Sequence, residues 1–585
     1  MARKVKVEIG IDGNPITPIS NLSLTQSFDS HHHFQLTCPI QEKDDDLLTK
    51  CNDYIGKVFK VDVSSDWFNL KKNIFQGVVT RVGLARTQGA NSEIVISGYS
   101  PTILMDDGPH ATSFSEMKLK DIAGDILNKY GSIDSKISPK SKDKIDYIVQ
   151  YKESNFQFLN RISALYGEWC YYDGVKFFLG KPSAEDAITL KLGKELLNFD
   201  LSMKLSPTEF KLQAYDYLNN KVLESPSSGA NVPGLDQYGK IAIDKSKKLF
   251  NQTPLFPFPV TVANKSELDD FAIRKRSTQA NELVAFNGRS DNPFLKIGSV
   301  VKIQGGISMM GLATASKEVN YGEFIVTEIS HFTDGLGNYE NHFEAIPSSV
   351  QYPPQNSHIK MPFCESQVAV VKENDDPDSM GRVRVQFHWQ EGSEMTPWIR
   401  LASTASGSGQ GFFIIPEKDD EVVTGFTHNN PSKPYILGCV YHGKAKPEGM
   451  SDGKNNKKGI LTKSGNQIFI SDEGGKEEIK IVNGGNTMVF SLDGPKITLS
   501  TEGDLAISAK NIAMKASEKI LIEAGKELTL KAGTEVSVKG DSKVNIGSPE
   551  VAITGQQKVT ASAGQEVSIT GGVSASMMAP QVKLN

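Results

Sequence analysis

Apolar and polar residues alternate along much of this chain with a period of two. At the N-terminus Val5, Val7 and Ile9 interleave with Lys4, Lys6 and Glu8, the pattern of a half-buried strand. Val58, Val61 and Val63 follow, then Val78, Val79 and Val82, then Ile94, Val95 and Ile96, separated by Gly and Asp clusters. Short strands at such intervals predict a barrel or sandwich over residues 1 to about 110. The period then lengthens to that of a helix at Leu119, Ile122, Ala123, Ile126 and Leu127, with Gly131 as the expected C-cap. A second helix is expected through Phe156, Phe158, Leu159, Ile162 and Leu165, behind Ser154 as its N-cap. Residues 169–178 read as a hairpin that turns on Asp173 and Gly174. Strands return over 185–350, with one more helical stretch near 267–276.

Residues 351–362 open with Gln-Tyr-Pro-Pro-Gln-Asn-Ser and read as a linker stiffened by proline. Residues 363–443 are strand-rich again, with expected strands at 367–372, 381–389, 398–401, 411–415, 421–426 and 435–441. Five or six short strands in so small a block suit an OB-type barrel. A connector at 444–458 leads to a final region, 459–585, where Gly, Ser, Lys and Glu dominate.

In that final region apolar residues recur as i, i+2 doublets. They start at Ile497 and continue through Leu505/Ile507, Ile512/Met514, Ile520/Ile522, Leu528/Leu530, Val536/Val538, Val544/Ile546, Val551/Ile553, Val559/Ala561, Val567/Ile569, Ala575/Met577 and Val582/Leu584. Successive doublets lie eight residues apart, with three intervals of seven. Residues i and i+2 of a strand share a face, so each octad is a short strand with two inward side chains and a polar corner. One octad cannot bury its own doublet, which is the signature of a solenoid rather than of a disordered tail. The period alone leaves open one chain or three intertwined chains. Three chains would make a stiff prism roughly 55–60 Å long, at about one strand spacing per octad.

Composition narrows the functional classes. The 585 residues exceed what one core can hold, so three or four domains are expected. A net charge of −5 argues against nucleic acid or an anionic membrane as the main partner. The five cysteines, Cys38, Cys51, Cys170, Cys364 and Cys439, are widely spaced without a CxxC, so neither a disulfide framework nor a zinc ribbon is expected. The alternating N-terminus is no signal peptide, and no eighteen-residue apolar run spans a membrane. If the protein leaves the cell, a dedicated machine must therefore carry it. His31-His32-His33 has no ligand partner at a recognisable spacing and reads as an exposed strand or loop. Asp376-Pro-Asp-Ser-Met-Gly381 opens like a calcium loop but has Phe387 at its twelfth position, so a turn is expected. Gly407-Ser-Gly-Gln-Gly411 lacks the context of a phosphate loop or a nucleophile elbow. No catalytic, cofactor or metal residue is expected.

Three segments resemble one family. Residues 151–172, Tyr-Lys-Glu-Ser-Asn-Phe-Gln-Phe-Leu-Asn-Arg-Ile-Ser-Ala-Leu-Tyr-Gly-Glu-Trp-Cys-Tyr-Tyr, resemble the hub segment of VgrG proteins. Gly381, Arg382, Val383, Val385, Phe387 and Trp389 resemble that family's OB strand, continued by Trp398, Pro416 and Gly438. The octads sit where the family has a triple-stranded β-helix. The resemblance implies a mainly β chain with a few helices: a barrel-rich hub over 1–350 with two barrel subdomains and helical insertions, an OB domain, and an intertwined homotrimeric spike. It implies a non-enzymatic tip of a type VI secretion apparatus. Its partners would be an Hcp-like inner tube at the hub, baseplate components, effectors, a PAAR-like cap and, by puncture, a target membrane. Cap docking is expected at Val582, Lys583, Leu584 and Asn585. Only some 15–25 residues separate Tyr441 from the first spike strand, too few for an inserted lysozyme, and a toxin after Asn585 is not expected. An extracellular injection particle or phage-like tail is the near alternative. A carbohydrate-binding adhesin is the distant one, disfavoured because no aromatic residue follows Phe490.

Overall fold

The structure is a computed structural model that describes residues 4–40, 52–65, 72–86, 92–182, 186–307 and 317–583. The chain is mostly β, with four α-helices among the described residues. It divides into two compact units, 1–449 and 450–585.

The first unit is organised by a large mixed sheet whose two halves each enclose a core. In one half, Lys6–Ile11, Val58–Ser64, Lys72–Arg86, Ser92–Tyr99, His33–Pro39 and Asn21–Ser27 pair in that order. Their inward residues Ile11, Phe34, Leu36, Phe59, Phe75 and Ile96 are buried to 2% exposure or less. The Phe34 ring, stacked on Phe59, lies over Gly98, where a Cβ would stand 1.9 Å from the Val78 carbonyl oxygen. Only glycine permits that approach. The other half pairs Leu196–Met203, Val284–Ser290, Tyr339–Pro347 and Lys317–Asp334, with Val300–Ile307 and Ile188–Lys191 beyond. The halves join at a seam where Asn21–Ser27 runs antiparallel to residues 328–334.

The first two helices form at the expected apolar positions. Leu119–Leu127 buries Leu119, Ile122, Ala123, Ile126 and Leu127. Its C-cap is Asn128 rather than Gly131, because the turn closes as soon as the apolar stripe ends. Asn155–Tyr166 starts in a capping box: the Gln157 amide donates to Ser154 Oγ, and the Gln157 side chain accepts from the Ser154 amide. Gly167 ends it at φ 67°. Arg161 lies buried along the same helix and donates to both Glu153 carboxylate oxygens and to the Val149 carbonyl. The fourth helix, Lys265–Asn281, packs on the small sheet of Lys211–Asp216, Lys221–Pro226 and Leu255–Pro257, and the third, Gln237–Leu249, packs on the fourth and on Leu196–Met203 and Val284–Ser290. That third helix was expected as strand. Its N-cap Asp236 accepts from the Gly239 amide, and only Gly239, Ala242 and Ser246 are buried.

Residues 351–362 are not a bare linker. Pro353 and Pro354 are buried, and Asn281 Nδ2 donates to the Tyr352 carbonyl at 2.7 Å. Beyond them, Arg384–Phe387, Gln367–Glu373, Glu421–Phe426 and Pro434–Cys439 form an antiparallel four-stranded sheet. The expected strands at 398–401 and 411–415 contribute less. Ile399 and Leu401 bridge singly to Val383 and Ile436, and only Gln410–Gly411 is strand. This block seats on the hub through Gln390 Nε2, which donates to Ser113 Oγ at 2.6 Å, and through Ser432 Oγ, which accepts from the Val149 amide at 3.0 Å.

The second unit holds two kinds of structure where one repeat was expected. Lys457–Leu461, Gln467–Ser471, Glu478–Asn483, Asn486–Ser491 and Lys496–Ser500 make a five-stranded antiparallel meander. Residues 501–583 follow as extended chain with turns at the octad corners and no strand ladder among the described residues.

Candidate functional site

Directly opposed residues in an antiparallel sheet share a face. Ile460 opposes Ile468, Ile468 opposes Ile481, and Ile470 opposes Ile479. Ile481 then opposes Met488 and Ile479 opposes Phe490, while Met488 and Phe490 oppose Leu499 and Ile497. Nine apolar side chains therefore tile one face of the meander, and Ile468, Ile479, Ile481, Ile497 and Leu499 are each exposed. The opposite face is mixed: Lys457, Ser471, Glu478, Lys480, Ser491 and Lys496 share it with Leu461, Phe469, Val482 and Val489. The spacing of these doublets, 11, 9 and 9 residues, conceals them from a search for octads.

Exposed apolar doublets continue through the repeat. Leu505, Ile507, Ile520, Ile522, Leu528, Leu530, Val536, Val538, Val544, Ile546, Val567 and Ile569 are 48–74% exposed, and every residue from 502 to 583 is classed as exposed. A single-chain solenoid would pair each octad with the next octad of the same chain. The described residues contain no such ladder. Leaving a Val, Leu or Ile side chain in water forgoes about 1.5–3 kcal/mol relative to full burial. Two such residues per octad, with unpaired backbone groups beside them, define a surface built to be covered. Val582 and Lys583 lie exposed at the distal end of this segment, while Leu584 and Asn585 lie outside the described residues.

In the OB block Val383, Val385 and Phe387 meet in one core with Ala369, Val371, Val422 and Ile436. Trp389 stacks on Phe387 with centroids 5.3 Å apart and donates from Nε1 to Gln367 Oε1 at 2.8 Å. Trp398 is half-buried, Pro416 is buried and its carbonyl accepts from Asn374, and Gly438 pairs with Val423. Gly381 adopts φ 72° against Phe413 and Ile415. Arg382 is buried and grips Asp376 through Nε at 3.0 Å and a second nitrogen at 2.6 Å, and it also reaches Asp378 and the Tyr217 hydroxyl. Asp376 accepts three backbone amides as well, from Asp378, Met380 and Arg382. The calcium-like segment is thus a turn organised by one carboxylate. The Arg382 guanidinium, helped by those amides, holds Asp376 well below the usual carboxylate range.

The histidine run departs from expectation. His32 is fully buried, and its ring stacks on Phe75. His31 packs on Phe156 with centroids 3.9 Å apart and bonds Thr102 and Asp106. Aromatic contacts with Phe75, Tyr172 and Phe156 draw the run inward, where the lack of ligand partners had suggested an exposed strand or loop. Ser154 also bonds Asp106. The carboxylate therefore lies between hydroxyl and imidazole, the wrong order for a nucleophile relay. Among the described residues no three His, Cys, Asp or Glu side chains lie close enough to hold a metal ion, and no helix is long and apolar enough to cross a membrane.

Comparison with known proteins agrees with this layout. The phage tail baseplate hub (GPD) family matches residues 27–335, more than half of the chain. The type VI secretion system/phage-baseplate injector OB domain matches 367–441. The type VI secretion system spike protein VgrG4b of Pseudomonas aeruginosa is 27% identical over 57% of this chain and 45% of its own length. The actin cross-linking toxin VgrG1 of Vibrio cholerae is 23% identical over 63% of this chain and 35% of its own length. The chain thus spans about half, or less, of the curated relatives it matches. A solved Francisella PdpA–VgrG complex shares the fold with a TM-score of 0.58 at 11% identity, covering 85% of this chain and 88% of that one. The chain belongs to the phage tail baseplate hub family, as a spike protein of the VgrG type.

Proposed function

We propose that three copies of this chain intertwine through the second unit to form the rigid spike of a contractile injection apparatus. The hub stacks on a ring of Hcp-like inner-tube subunits within the baseplate. The distal end around Val582 and Lys583 carries a PAAR-like cap, and effectors travel with the tip. The apparatus moves the assembly out of the cytoplasm and through a target membrane. The spike contributes stiffness and docking surfaces rather than catalysis.

The observation that supports this most is the series of exposed apolar doublets, from the meander through the octads, that no second layer covers among the described residues. Copies of the same chain carry the same doublets at the same spacing, so threefold winding covers every layer at once and closes the assembly. The outward positions carry Lys510, Lys515, Lys526 and Lys531 beside Glu502, Glu518, Glu523 and Glu535, a mixed-sign surface suited to water.

Light scattering behind a sizing column tests the proposal. Three chains of 63.9 kDa give an elongated particle of about 192 kDa. A folded monomer would remove the intertwined spike and return the octads to a single-chain solenoid. Within the injector class, membrane-complex genes beside this one would favour secretion, and a complete tail cluster would favour a free or phage-like particle.

A further inference from the structure

A buried chain of five polar side chains crosses the seam between the two halves of the hub. Asn341 Nδ2 donates to the Asn292 carbonyl at 2.7 Å and to the Tyr339 hydroxyl at 3.0 Å. The Tyr339 hydroxyl lies 2.6 Å from His331 Nδ1, and His331 Nε2 lies 3.0 Å from Gln26 Oε1. Gln26 Nε2 lies 3.0 Å from His32 Nδ1, and His32 Nε2 lies 3.2 Å from the Ser27 carbonyl oxygen. All five side chains are 9% exposed or less. Tyr339, Asn341 and His331 belong to the second half, and Gln26 and His32 to the first, so Gln26 is the link that spans the seam.

The two ends of the chain fix its direction. A carbonyl only accepts, so Ser27 requires a proton on His32 Nε2. His32 Nδ1 must then accept, which orients the Gln26 amide with nitrogen toward His32 and oxygen toward His331. That oxygen requires a proton on His331 Nε2. His331 Nδ1 in turn accepts from Tyr339, whose lone pair receives Asn341. Reversing the Gln26 amide would set its nitrogen against the His331 N–H and its oxygen against His32 Nδ1, and both contacts would fail. Burial keeps both imidazoles neutral at neutral pH, and neutral rings fit this chain in the Nε2–H tautomer, with Nδ1 occupied as an acceptor.

We propose that this chain is an acid-operated latch between the two halves of the hub. A proton taken from solvent onto Nδ1 of either histidine places a full charge inside the buried seam, where the Gln26 amide and the Tyr339 hydroxyl can turn to accept from it but cannot neutralise it, and the seam between Asn21–Ser27 and residues 328–334 opens. No nearby group is placed to compensate. Asp173 is the carboxylate that favours a charged His32, but it is engaged by Lys296 Nζ at 3.1 Å and by the Val175 and Lys176 amides. His31, and His331 itself, oppose the charge, and Tyr172 presents a ring edge. Asp29 is bonded by Ser27 Oγ, and Glu340 is bonded by Arg289. On Val58–Ser64, Lys60 and Asp62 alternate to the face opposite Val61 and Val63. The small cavity beside Gln26 and His331 has no carboxylate in its lining. Burial accordingly pushes His32 down to about 3 and His331 to about 4. Both values lie below the unfolded value, so the stabilisation is complete above pH 6.5 and is lost as pH falls toward 4 and 3.

Hydrogen exchange of the full chain, read by mass spectrometry between pH 7 and 4 and corrected for intrinsic rates, tests the latch. Peptides covering 21–33 and 328–341 should lose protection roughly tenfold per pH unit for each histidine below 6.5. Peptides covering 367–373 and 421–426, which face neither histidine, should hold. The double variant His32→Gln, His331→Gln should flatten the pH response of the seam. Because that variant could lose its fold, Gln26→Glu supplies a second reading: a carboxylate between the two rings pairs the incoming charge and should keep the seam protected to lower pH. Seam protection that stays constant down to pH 4 in the unaltered chain would overturn the proposal. So would a pH response that survives in a folded double variant.

Discussion

Ile11, Phe34 and Val301 in the hub are buried to 1% or less, while Ile507, Leu530 and Ile569 in the distal unit are at least two-thirds exposed. Both regions use the same apolar residue types with the same period of two. They differ in where the second layer of the core comes from. In the hub, strands far apart in sequence return to cover one another, as Asn21–Ser27 does with residues 328–334. In the distal unit each strand turns directly to its neighbour and the faces are left one layer thick. A self-sufficient core and an uncovered apolar face can therefore be written in one alphabet, and the distinction lies in topology rather than in hydrophobicity.

Substitutions break this comparison at different levels. The largest effect is expected from Ile522→Asp or Ile479→Asp. Each would place three carboxylates in one layer of a shared core, so the particle should fall from about 192 kDa to the mass of one chain, with the hub still melting normally. An unchanged mass would mean that these faces do not meet. In the OB core, Phe387→Ala should cost about 3–5 kcal/mol in denaturant unfolding of the first unit. Arg382→Ala strands the buried Asp376 carboxylate and should cost about 3–5 kcal/mol at neutral pH. Because Asp376 is depressed in the fold, the unaltered chain loses its stabilisation only as pH falls below the usual carboxylate value, and the penalty of Arg382→Ala should shrink over the same range. A pH-independent penalty would assign Arg382 a packing role instead. The smallest effect is expected at Ser154→Ala, about 1 kcal/mol for the lost N-cap, read by thermal melting.

Local periodicity made much of this legible. The helices at Leu119–Leu127 and Asn155–Tyr166 announce themselves through apolar spacing, and Ser154 with Gln157 marks the start of the second. The octads are legible because a doublet every eight residues has no other use. Gln237–Leu249 escaped because four lysines dilute its face, although Tyr238, Ile241, Ala242 and Ser246 keep a helical interval behind Asp236. The meander doublets Ile468/Ile470, Ile479/Ile481 and Met488/Phe490 were legible in kind but not in spacing. His32 could not be placed from its neighbours: its burial depends on Gln26 and, through it, on His331, 305 positions from Gln26. The number of chains that share the octads is likewise absent from the period, since one chain and three impose the same i, i+2 rule.

The one-layer distal unit also governs how the particle is made. In a shared needle, most backbone partners of any octad belong to other chains, so this segment cannot finish folding while its chain is alone. It also leaves the ribosome after the hub and the OB block. The hub and OB block, which complete their cores unaided, can fold first, and the tails of three chains must then still find one another, a slow encounter that depends on concentration. A tail that waits too long for its companions is an open apolar strand, vulnerable to proteases and to wrong partners. Timing of synthesis, rather than any further contact, then sets the yield of finished spikes.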